Sequence, residues 1–107
     1  MPAEWEPHAA TWLAWPQRES DWPGKLAVIP WVYGEIVRAL SRHERVNLIV
    51  PDSFAGDQAR EVLTQANANL ANVTIWEQPT DRSWVRDSGP IFVVNAKGER
   101  AILDWHF

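Results

Sequence analysis

The 107-residue sequence contains no cysteine. That excludes disulfides, zinc–thiolate sites and a cysteine nucleophile within these residues, and it fits a reducing compartment. A surplus of positive charge is also missing: ten Lys and Arg stand against fourteen Asp and Glu, a formal net charge of −4. A nucleic-acid or anionic-membrane surface needs a basic patch, so neither partner is expected. No apolar run approaches the length of a membrane span, and the opening MPAEWEPHAA is too acidic for a signal peptide. The expected localisation is therefore cytoplasmic. No pair among His8, His43 and His106 has a metal-ligand spacing such as HExxH, and no Gly-rich phosphate loop occurs. Neither a metal nor a nucleotide cofactor is expected.

What is present belongs to a globular chain: 46% hydrophobic and 22% charged residues, in a length that suits a single domain, residues 1–107. Eight tryptophans are many for this size. Trp5, Trp12, Trp15, Trp22 and Trp31 crowd the first third, and Trp76, Trp84 and Trp105 lie toward the other end. Most are expected to fill a core or an interface, each with one N–H in need of a partner.

Periodicity predicts the order of elements. Thr11 to Trp15, closed by Pro16, reads as a short strand. QRESDWPGK is a charged loop ending in Pro-Gly. Val28, Ile29, Val32, Tyr33, Ile36, Val37 and Leu40 recur at helical steps, with Pro30 tolerable in the first turn. VNLIVP (46–51) is a buried strand; Asp52 or Ser53 caps a second helix with Ala55, Ala59, Val62, Leu63 and Ala66 on its apolar stripe, dissolving in NANLAN. VTIW (73–76) is a further strand, and IFVV (91–94) and AILDW (101–105) read as a hairpin with Gly98 in the turn. Strands alternating with helices predict an α/β fold: a mainly parallel sheet covered by helices, with an antiparallel addition from the hairpin. Such sheets bind ligands beyond the carboxyl ends of their strands. An apolar strand at the very end, ILDWHF, is expected where a longer protein has been cut.

Just past the third strand stands TDRSWVRDSGP (80–90), with Asp81, Arg82, Trp84, Arg86 and Asp87 ahead of a Gly-Pro bend. Extended backbone would send Trp84 and Asp87 to opposite faces, whereas a turn brings residues three apart together. An indole beside a carboxylate suits a flat cation: the ring attracts positive charge, and the carboxylate accepts two parallel N–H bonds from a guanidinium. The competing reading is that Arg82 or Arg86 supplies that guanidinium from within. Asp81 is expected to pair locally or cap the turn. Asp104, in a strand, is expected to hydrogen-bond structurally, and His43 to complement the end of the first helix.

PAEWEPHAATWLAWP, TDRSWVRDSGPIFVVN and ILDWHF resemble, in order and spacing, the amino-terminal part of agmatine deiminases, which belong with the bacterial peptidyl-arginine deiminases in the guanidine-modifying superfamily. The resemblance covers nearly the whole chain but about the first third of the family's usual catalytic domain. It implies a five-bladed α/β propeller, the pentein fold, with this chain as its first blade or slightly more. It implies hydrolysis of agmatine to N-carbamoylputrescine and ammonia, a polyamine (putrescine) route, without metal or organic cofactor. A cysteine thiolate attacks the guanidinium carbon and a histidine shuttles protons, while carboxylates hold the guanidinium nitrogens. By the motif, Asp87 matches the catalytic, guanidinium-binding aspartate and Trp84 the tryptophan that walls the substrate pocket. The nucleophile and catalytic histidine have no counterpart here, and His106 is not that histidine. The isolated chain is therefore expected to be inactive, and to self-associate or dock with the remainder of the domain. Three alternatives stay open: a peptidyl-arginine deiminase, a non-catalytic cation-binding module, and a structural domain whose Asp-Arg cluster is internal.

Overall fold

The computed structural model describes Ala3 and residues 5–103. Strands and helices follow in the order β1 (Ala10–Ala14), α1 (Ile29–Leu40), β2 (Arg45–Val50), α2 (Ser53–Gln65), β3 (Val73–Glu77), α3 (Val85–Ser88), β4 (Ile91–Val94) and β5 (Arg100–Leu103). β1, β2 and β3 form a parallel sheet with β2 in the middle. Leu13, Leu48 and Ile75 share one cross-strand row, and Thr11, Val46 and Val73 another. Because strand side chains alternate, these rows face one way. They meet Val37 of α1 and Ala55, Ala59 and Leu63 of α2 in a single core that also takes in Trp15. The two helices touch each other and β2, so both cover this face.

Trp12, Asn47, Ile49 and Trp76 belong to the opposite set of rows. The Trp12 and Trp76 rings stack with centroids 6.1 Å apart, and Trp76 Nε1 donates to Asn47 Oδ1 at 3.0 Å. Both rings stay about half exposed.

Local chemistry sets the helix ends. Pro30 falls in the first turn of α1, where an N–H has no helical partner to lose. Asp52, not Ser53, caps α2, its carboxylate accepting from Ala55 N at 2.8 Å. Asn67 ends α2 in the left-handed region at φ 57°. Ala68 N then donates to Leu63 O at 3.0 Å and Asn67 N to Thr64 O at 3.1 Å, the paired bonds of a Schellman stop. This explains why the asparagine-rich stretch cannot continue the helix.

The hairpin pairs Ile91 with Leu103 through Val94 with Arg100, and Gly98 sits in its turn at φ 79°. It is a sheet of its own, not an addition to the parallel one. Thr80 and Ser83 are tied to residues 15–17 just past β1, and α3 packs against β1 itself. The expected strand continuation to Trp105, and the expectations for Asp104 and His106, lie outside the described residues.

Candidate functional site

Two loops leave the sheet at its carboxyl end: residues 15–28 after β1 and 78–84 after β3. They are joined side by side. Ser83, buried, donates through Oγ to Trp15 O at 3.2 Å. Gln17 Nε2 donates to Thr80 O at 2.6 Å and to Thr80 Oγ1 at 2.8 Å. Arg18 pairs with Asp81, and Arg82 Nη1 donates to Asp21 Oδ1 at 2.5 Å. Trp22 closes the series against Trp84, ring centroids 5.0 Å apart and planes tilted 35°. Every residue from Thr80 to Trp84 is held by a partner between Trp15 and Trp22.

Behind this seam, Trp15 meets Tyr33 edge-on at 5.9 Å. Burial pushes the Tyr33 phenol above its ordinary pKa, while its hydrogen bond with Ser83 acts in the opposite direction.

Ahead of it the backbone coils into the single turn α3. Asp87 N donates to Trp84 O at 3.2 Å, Ser88 Oγ to the same carbonyl at 3.2 Å, and Gly89 N to Val85 O at 2.7 Å. Helical winding puts residues three apart on one side, so Trp84 and Asp87 fall at neighbouring positions of one turn. Trp84 keeps 42% of its surface exposed, and Asp87 is exposed. Gly89 crosses so close to the Val85 carbonyl oxygen that a Cβ there would overlap it.

The internal-partner reading of the cluster can be followed residue by residue. Arg82 is engaged by Asp21, whose side chain has no exposed surface. Asp81 is taken by Arg18. Among the described residues, no hydrogen bond or ion pair engages the Asp87 carboxylate, and none joins it to Arg86. The site is an open one. A cavity of about 530 Å³ lies beside it, between the uncovered sheet face and α3, lined by Trp12, Ile49, Val85, Arg86 and Phe92 among others. Trp84 and Asp87 do not line that cavity. Two buried polar atoms of the seam, Asp21 Oδ2 and Trp22 Nε1, have no hydrogen-bond partner among the described residues.

The structure brings Trp84 and Asp87 to one turn, as a turn before the Gly-Pro bend implies, and adds contacts of Gln17, Asp21 and Trp22 that the charged-loop reading of QRESDWPGK does not contain. A signal was available: Arg18 and Asp21 in one loop are matched in reverse sign by Asp81 and Arg82 in the other.

The family model described as Porphyromonas-type peptidyl-arginine deiminase matches residues 1–107. The chain belongs to this family. Within the Porphyromonas-type deiminases, a relative from Yersinia pseudotuberculosis is 39% identical over 108 residues, covering all of this chain and 27% of that protein. The agmatine deiminase of Ectopseudomonas mendocina is 36% identical over 107 residues with the same coverages. The solved structure of C. jejuni agmatine deiminase aligns with a TM-score of 0.75 at 29% identity, over 94% of this chain and 29% of that one. The fold is thus the α/β unit of the pentein propeller family, and the chain spans little more than a quarter of the relatives it matches.

Proposed function

We propose that residues 1–107 form the amino-terminal portion of a catalytic domain that hydrolyses agmatine to N-carbamoylputrescine and ammonia, in cytoplasmic polyamine synthesis. The observation that carries this reading is the family match over the whole chain, together with an exposed indole and a carboxylate that no described residue engages on one turn. In this reading Asp87 binds two guanidinium nitrogens and Trp84 walls the pocket, so the central carbon is held for attack by a thiolate. That thiolate is not in this chain, which has no cysteine. A C. jejuni agmatine deiminase structure with substrate bound, in a cysteine-to-serine variant, supports the substrate class. Ammonia release by the full-length protein tests the proposal. Wild type is expected to turn over agmatine, and Asp87→Ala to lose about a hundredfold or more in kcat/KM, the scale of removing one partner from a desolvated charge pair. An inactive wild type, or an unaffected Asp87→Ala, overturns it.

The family description itself favours a second reading, peptidyl-arginine deimination. The same assay with an arginine-containing peptide separates the two. Turnover of the peptide but not of agmatine would transfer the assignment.

A further inference from the structure

From the seam between the two loops we infer that Trp22 is a positioning residue for Trp84, with the Asp21–Arg82 pair as its anchor. The inference rests on the reading of Trp84 and Asp87 as a guanidinium receptor, and it concerns how that receptor is kept in shape. Trp84 immediately precedes α3, and its backbone carbonyl accepts from Asp87 N and Ser88 Oγ. The backbone of the turn is thereby fixed, but the indole is not: that side chain has no hydrogen bond of its own among the described residues. What orients it is Trp22, ring against ring at 5.0 Å. With its plane tilted 35°, Trp22 packs against one side of the Trp84 indole and leaves the other for a cation, which sits over an open ring face.

Trp22 in turn follows Asp21 in a short 3-10 turn, Glu19–Asp21. The fully buried Asp21 carboxylate holds Arg82 at 2.5 Å. Consecutive residues 21 and 22 therefore grip residues 82 and 84 on either side of buried Ser83. The same contact keeps the Arg82 guanidinium engaged away from Asp87, so the cluster does not satisfy itself.

The test is steady-state agmatine hydrolysis by the full-length protein carrying these residues. Trp22→Leu is expected to raise KM about tenfold and Trp22→Phe about threefold, graded by how much of the Trp84 face each covers, with kcat within twofold. Leu63→Val, in the core, serves as the comparator: it lowers Tm without moving KM. If Trp22→Leu fails to fold, Trp22→Phe carries the test alone. An unmoved KM in a folded Trp22 variant, with Tm lowered as in Leu63→Val, overturns the inference and leaves the functional reading intact. A wild type that hydrolyses no agmatine overturns the functional reading, and the inference falls with it.

Discussion

At Gly89 the dihedral angles suit any residue, φ −79° and ψ 155°, yet no side chain fits because the Val85 carbonyl oxygen occupies the space of a Cβ. Gly89→Ala is expected to open α3 and so separate Trp84 from Asp87. If Trp84 and Asp87 form the proposed guanidinium receptor, kcat/KM of the full-length protein for agmatine should drop about tenfold or more while far-UV circular dichroism is unchanged, since a misplacement on the ångström scale suffices for such a loss. Tyr33, the one tyrosine of the chain, makes a second residue-level case. Burial raises its folded pKa above the unfolded value of about 10. The neutral phenol is therefore favoured by folding; that stabilisation is complete below the unfolded value and is lost as pH rises through the folded one. Tyrosinate absorbance should appear later in the folded protein than in denaturant, and Tyr33→Phe should remove this part of the alkaline loss of stability. Equal titration in both states would refute it. Trp84 and Asp87 were legible as neighbours on one turn because residues three apart meet where the backbone coils ahead of a Gly-Pro bend. Asp21 and Trp22 were not, since their partners are about sixty residues away.

Among the elements, β1, β2, β3, α1 and α2 were readable because each buries one face and so repeats its apolar residues at the period of its backbone. The boundaries differ by a residue or so, as where Trp15 turned out to follow β1 and not to end it. The single turn α3 was foreseen only as a turn or bulge: four residues give no period to read. The hairpin was identified with its glycine turn, but its detachment from the parallel sheet was not, because strand pairing partners depend on where the preceding loop is pinned. Asp52 shows the opposite situation, a purely local signal. Its carboxylate accepts from Ala55 N, and Asp52→Ala is expected to destabilise by about 1 kcal/mol, with Asp52→Asn nearly neutral. Urea denaturation reads this directly as a shifted midpoint at constant slope.

Among the described residues, the outer face of the parallel sheet is only partly covered and much of the hairpin is exposed. Trp12, Trp76, Phe92 and Ile102 are exposed there. Such apolar area on a monomer is an association surface. Residues 1–107 in isolation are expected to form dimers or larger species at micromolar concentration by sedimentation velocity, and Trp12→Glu/Phe92→Glu to shift them toward monomer. A wild type that sediments as a monomer throughout that range would contradict this. The seam at the carboxyl end of the sheet has a different consequence. Its bonds span 61 to 68 positions along the chain, so closing them requires everything from β1 to β3 to be in place first. A partly folded chain would therefore carry no trace of the guanidinium receptor proposed for Trp84 and Asp87.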